Sequence, residues 1–269
     1  MDTREEESPT MALLPPIPGP VAGRTSEAEW RAALANAALP ELTWQSLGTP
    51  ARALVLDTVP GEGIFAIGGL LAGLTERGCA VDVVTLSAGD VRAAAAYGED
   101  EIGLATRRLR EHRSALDILL PASRLIYLKL PVEALAGNEG EIADRLASVT
   151  DLAPAQLVFA PYRLDGAPAQ ESVGAAAAKV AAGLGALLVE MPVQLWQTAP
   201  PEDLPWSDLW QHQPPPAAVA AKTRAMACFT SQIVPAPMAA GASAPLGEQA
   251  LVCFERPVEV VVADRLRLR

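Results

Sequence analysis

The chain is short of the residues that usually build metal centres and nucleic-acid surfaces. Its 269 residues include only two histidines and three cysteines, and 21 Lys and Arg face 32 Asp and Glu, for a formal charge of −11. A duplex or other polyanion needs a concentrated basic surface to displace its counterions, so no nucleic-acid partner is expected. Cys79, Cys228 and Cys253 are scattered, odd in number and free of any Cys-x-x-Cys spacing, which predicts neither a disulfide framework nor a thiolate metal site and fits a reducing cytoplasm. No apolar run approaches the roughly 18 residues that span a bilayer. The opening "MDTREEESPT" is acidic where a secretory signal is basic. The expectation is a soluble, cytoplasmic protein with no membrane span. Aromatics make up only 4% of the chain, which favours close helix-on-sheet packing with few large rings.

What the chain does have is apolar content, 50% of residues, in an alternating pattern. Residues 1–24 are acidic and then Pro-rich, a composition that cannot offset its ordering entropy, and read as a flexible tail. Residues 25–269 read as one α/β domain. "SEAEWRAALANAAL" opens on a capping box, Ser26 with Glu29 three residues on. "ARALVLDT", "CAVDVVTLSAGD", "RLIYLKLP", "AQLVFAPY" and "LLVEMPVQLW" read as successive buried strands. Helices lie between them: one from near Gly63 to Gly78, one over "GLATRRLREHRSALDILL", one from Asn138 to Val149, and one over "SVGAAAAKVAAGLGA". A Pro-rich stretch, a single helix around "AAVAAKTRAMACFTSQ" and a last strand "EVVVADRLRLR" complete the chain. This order predicts a Rossmann-like, doubly wound, mostly parallel sheet with helices on both faces and any ligand at the carboxyl ends of the strands.

Two strand-end loops carry the candidate chemistry, "DTVPGEG" (57–63) and "PYRLDGAPAQES" (161–172). Glu62 at a helix start is explained by stabilisation from helix N–H groups, and Asp165 in "LDGAP" by turn formation. His112, in a charged helix stretch, and His212, in a Pro-rich loop, read as exposed structural residues rather than ligands. Arg107, Arg108, Arg110 and Arg113 read as a solvated face. Trp196, Trp206 and Trp210 fit either packing or a sugar-stacking surface. Gly61, Gly63 and Ala66 with Asp82 satisfy a dinucleotide fingerprint, but four residues separate strand from first glycine and Asp82 opens its strand instead of ending it, so nucleotide binding is a minor alternative.

"RALVLDTVPGEGIFAIGGLLAGLTERGCAVDVVTLSAGD" resembles the opening of the PIG-L/LmbE-like zinc N-deacetylases, whose first loop reads Ala-His-Pro-Asp-Asp-Glu before a Gly-Gly helix. "RLREHRSAL", "YLKLPVEAL", "VFAPYRLDGAPAQESVGAAA", "PVQLWQTAPPEDLPW" and "KTRAMACFTSQ" are similar, in order, to further family stretches, so the likeness runs from about Ala51 to Val262. The departures fall on the chemistry. The resemblance implies zinc ligands at Val59, Glu62 and Gln170, a general base at Gly61, an oxyanion-supporting His at Ala167 and a loop Asp at Ala169. A catalytic zinc takes about three N, S or carboxylate ligands, and of these positions only Glu62 offers one conventionally. The family scaffold remains at Pro60, Gly68, Gly69, Pro161, Asp165, Gly166 and Lys222. The expectation is therefore a deacetylase-fold pseudoenzyme that needs no cofactor. Its residual pocket would draw on Glu62, Arg108, Asp165, Gln170 and Gln197, and its role would be binding a sugar conjugate, or pairing with a protein partner or a second copy in glycan assembly. The alternative is an atypical, active N-acetylglucosaminyl-type deacetylase.

Overall fold

The computed structural model describes residues 25–88, 91–150, 154–235, 246 and 248–263. The tail assigned to residues 1–24 lies outside them. The chain opens with α1 (Glu27–Ala37) and α2 (Trp44–Leu47), then β1 (Arg52–Asp57), α3 (Glu62–Glu76), β2 (Ala80–Thr85), α4 (Val91–Ala96) and α5 (Glu101–Leu119). It continues through β3 (Arg124–Tyr127), α6 (Glu139–Thr150), β4 (Leu157–Pro161), α7 (Pro168–Leu184), β5 (Leu187–Met191), α8 (Leu195–Thr198) and β6 (Leu209–His212). It closes with α9 (Pro216–Met226), α10 (Thr230–Ile233), α11 (Glu248–Phe254) and β7 (Glu259–Ala263). The strands form one sheet in the order β3-β2-β1-β4-β5-β7-β6, parallel except where β7 runs antiparallel between β5 and β6. The α/β, mostly parallel expectation holds, and no described helix is long and apolar enough to cross a membrane.

Side-chain alternation on the strands divides the core in two. Ala53 and Val55 of β1 face a cluster with Ile64, Leu70, Leu116 and Phe159, while Leu54 and Leu56 face Ile142, Leu146, Val173 and Ala177 of α6 and α7. The capping box at Ser26 is present as read, with Glu29 bonded back to the Ser26 N–H at 2.7 Å. Other elements were not legible. β6 arises from the Pro-rich stretch because its backbone finds partners on both sides, β7 and the Pro40–Leu42 segment. The helix expected over 217–232 breaks after Met226, and α10 begins only at Thr230. The break matters because it turns the Phe229 ring inward, where none of it is exposed.

α3 is interrupted too. Ile67 has non-helical angles (φ −133°, ψ 27°), so backbone donors beyond it lack helical acceptors. The buried Glu259 carboxylate of β7 accepts from Gly69 N–H and Leu70 N–H, both at 2.8 Å, and pairs with buried Lys222 Nζ at 2.8 Å. Lys222 also reaches the Ala66 carbonyl at 3.4 Å. Gly69 has no room for a side chain, since a Cβ there meets Pro214 at 2.5 Å. The Gly-Gly pair and Lys222 thus maintain a helix break against α9.

Candidate functional site

β1 has β2 on one side and β4 on the other, so the chain winds outward in both directions from this point. In such sheets the loops at the switch point form the ligand crevice. Here those loops run from β1 to α3 and from β4 to α7, bringing Glu62 and Gln170 together across 108 residues of sequence. Glu62 is buried. Its Oε2 accepts from Thr58 N–H at 2.5 Å and Val59 N–H at 3.4 Å, and its Oε1 accepts from the Gln170 side-chain amide at 3.0 Å. Burial raises its pKa against these bonds. The carboxylate therefore closes the turn before the helix and not, as the sequence suggested, the N–H groups of the helix itself.

That helix-start role belongs to Asp57. Its two oxygens accept from Gly61 N–H at 3.1 Å and Gly63 N–H at 2.8 Å. Burial, then the neighbouring Glu62 charge, push its pKa up to about 8. His112 Nε2 lies 3.4 Å from Asp57 Oδ2, and its Nδ1 lies 3.3 Å from Thr85 Oγ1. Burial, then Arg113, take its pKa down to about 3. At neutral pH these shifts favour the uncharged form of both groups. The expectation of two exposed histidines is wrong. His112 has no exposed surface, and His212 is buried with Nδ1 3.2 Å from the Leu42 carbonyl and its ring against Trp44. A signal was available: Leu104, Arg108, His112 and Leu116 recur every four residues and form the buried stripe of α5.

Arg108 accordingly is buried rather than solvated, with Nη1 3.5 Å from the Ala88 carbonyl. Arg107 pairs with Glu99, and Arg113 bonds Asp117 and the Ser123 carbonyl. Gly61, at φ +96°, lies directly under Phe229: a Cβ would stand 2.5 Å from the ring's Cζ. Val59 and Ala169 are half-buried, and Ala167 is the residue before α7, whose first turn holds Pro168. Asp165 is fully buried and accepts from the N–H groups of Val193, Gln194 and Leu195 at 2.8–3.0 Å, tying the β4 loop to the start of α8. Burial raises it to about 7. Gln197 lies one turn into α8 and lines a separate cavity with Trp30 and Trp196.

Trp206 and Trp210 are tied to the backbone, donating to the Pro201 and Ala263 carbonyls, while Trp196 is buried edge-on to Trp30 and lines that same cavity. The dinucleotide alternative also loses its geometry. Asp57 already occupies the N–H groups of Gly61 and Gly63, and Asp82 is bound by Arg52 and Arg124 at the far end of the sheet.

Fold and crevice together define a doubly wound α/β protein with its crevice at the switch point of the sheet. Residues 60–181, from the β1 turn through most of α7, match the family model described as PIG-L, GlcNAc-PI de-N-acetylase. The crystal structure of the antimicrobial reagent A40926 pseudoaglycone deacetylase is similar, with TM-score 0.60 and 17% identity over 79% of this chain and 96% of that one. N,N'-diacetylchitobiose deacetylase from Pyrococcus horikoshii gives TM-score 0.55 and 15% identity over 68% and 71%. The 4-carboxy-2-hydroxymuconate hydratase GalB from Pseudomonas putida gives 0.51 and 17% over 76% and 82%. At these identities the likeness establishes the fold, which deacetylases share with a hydratase. No curated protein matches the sequence significantly.

Proposed function

We propose that this protein is a pseudoenzyme on the PIG-L/LmbE fold, without zinc-dependent deacetylase chemistry, that serves as a binding partner in the assembly of N-acetylated sugar conjugates. One observation carries the reading: Gln170 and Glu62, at two implied ligand positions, are hydrogen-bonded to each other. A zinc held there would have to break that bond, and Val59, the third position, has no donor atom. Among the described residues no group of three or more His, Cys, Asp or Glu is arranged to hold a metal. The donor set therefore does not fit a catalytic zinc. The base position is closed as well, since Phe229 covers Gly61. Glu62 does not substitute as a base for water, because both its oxygens are engaged. A partner at these loops would meet the exposed side chains Leu164, next to Asp165, and Val234, just after α10, whose Gln232 donates to the Pro60 carbonyl at 2.8 Å.

Metal analysis and turnover on one preparation test the reading. The full chain, incubated with zinc and desalted, is expected to retain far less than one zinc per chain and to leave N-acetylglucosaminyl substrates intact. Stoichiometric zinc together with deacetylation that chelation abolishes would overturn it in favour of an atypical active deacetylase, and chelator-insensitive turnover lost in Glu62→Ala would do the same.

A further inference from the structure

A cavity of about 230 Å³ lies away from the closed crevice, at the carboxyl side of β5, between the start of α1, α8 and α11. It is lined by Ser26, Trp30, Trp196, Gln197, Val252 and Arg256, among others. The walls are aromatic, and both indole N–H groups are already spent on backbone carbonyls: Trp30 on Trp196 and Trp196 on Pro192, each at 3.0 Å. The small part of the rings that is exposed, 8% of Trp196 and 2% of Trp30, is therefore carbon surface. Arg256 stacks on the Trp196 ring, its guanidinium carbon 4.6 Å from the centroid, and its side chain is only 4% exposed. Its Nε and Nη2 are held by Glu27, while no described residue bonds Nη1. Gln197 adds an amide whose described side-chain bond, to Gln194, is long at 3.4 Å. Behind Arg256 a second void of about 10 Å³, room for about one water, reaches the Lys222–Glu259 pair.

We propose that this cavity is a binding site for a small aromatic monocarboxylate. The ring lies along the exposed carbon edge of Trp196, with Val252 opposite in the lining, and the carboxylate accepts from Arg256 Nη1 and the Gln197 amide. The volume is slightly below the range of ordinary ligand pockets, which limits the ligand to a single ring with a short substituent. The free donors favour an anion over a cation: Arg256 Nη1 and the Gln197 amide face the cavity, while the Glu27 carboxylate at its mouth and the neighbouring Glu29 carboxylate are held by Arg31, Arg256 and Ser26.

The test is a titration of the full chain with benzoate, benzamide, cyclohexanecarboxylate and benzylamine, followed by the indole N–H resonances in a ¹⁵N-labelled sample. Benzoate is expected to saturate with Kd near or below about 1 mM, shifting the indole signals of Trp30 and Trp196 and leaving those of Trp206 and Trp210 in place. Benzamide, which lacks the charge, and cyclohexanecarboxylate, which lacks the flat ring, are expected to bind several-fold more weakly, and benzylamine not measurably. Val252→Phe, which fills the cavity, is expected to weaken benzoate at least tenfold. Arg256→Gln is expected to remove the preference for benzoate over benzamide even if it lowers stability. Absence of saturation by benzoate, equal binding of benzylamine, or shifts confined to other tryptophans would overturn the proposal.

Discussion

Substituting Gly61 with alanine probes the closed crevice directly. Two penalties meet at this position. A non-glycine residue at φ +96° is strained by about 1–3 kcal/mol. The new Cβ also falls 2.5–3.1 Å from three atoms of the Phe229 ring, which is packed against Phe65 with centroids 5.1 Å apart and His112 at 5.7 Å and so has little freedom to retreat; overpacking of this kind costs about 1–3 kcal/mol. Gly61→Ala alone should lower stability by about 2–6 kcal/mol. Phe229→Leu removes the opposing ring atoms and carries its own loss from the incompletely filled space. In that background only the backbone strain remains, so the double variant should recover about 1–3 kcal/mol relative to additivity. Urea unfolding of the four proteins, with the denaturant slope checked for constancy, measures the coupling. If Gly61→Ala costs the same in both backgrounds, Phe229 does not fill the base position, and the reading of a closed crevice loses its second support.

Stability should fall as pH rises above about 6.5. Asp57 titrates near 8 in the fold against an ordinary 3.8, and His112 near 3 against 6.5. From about pH 4 to 6.5 the folded pair and the unfolded chain each hold one proton, so their contributions cancel. Between 6.5 and 8 only the folded pair holds one, which removes about 2 kcal/mol, at roughly 1.4 kcal/mol per pH unit. Asp165, raised to about 7, adds loss in the same direction from about pH 4 to 7. Urea midpoints that increase between pH 6.5 and 8 would contradict this assignment. Glu259→Gln should destabilise by about 3–5 kcal/mol, because buried Lys222 loses its counter-charge, and amide hydrogen exchange should lose protection first at Gly69 and Leu70. Unchanged protection there would mean that the α3 break is held by other contacts. Asp165→Ala should free the N–H groups of Val193, Gln194 and Leu195 and cost about 2–4 kcal/mol, with Trp196 emission shifting as α8 loosens. A thermal midpoint within about 1 °C of the parent would count against it.

The parallel strands and the helices between them were legible because burial on both faces demands continuous apolar runs, and "ALVL" or "LVFA" has no other stable use. The capping box and the glycine after α3 were equally local. β6 was not legible, since "LWQH" has no periodicity of its own and becomes a strand only through its neighbours' hydrogen bonds. His112 stands among charged neighbours in the sequence, and only the four-residue spacing from Leu104 to Leu116 marks it as part of the buried stripe of α5.

Residue identities alone determined that the positions where the resemblance implies zinc ligands and base hold Val59, Glu62, Gln170 and Gly61, since side-chain chemistry at a matched position needs no coordinates. Only the tertiary structure decided what those residues do. Glu62 and Gln170 are 108 positions apart and bond because two loops meet at the switch point. Phe229 reaches Gly61 because a helix ends early, and Asp57 at the end of β1 meets His112 because the buried stripe of α5 turns that ring toward it. Long-range approach depends on how whole elements pack, and no local pattern of residues encodes it.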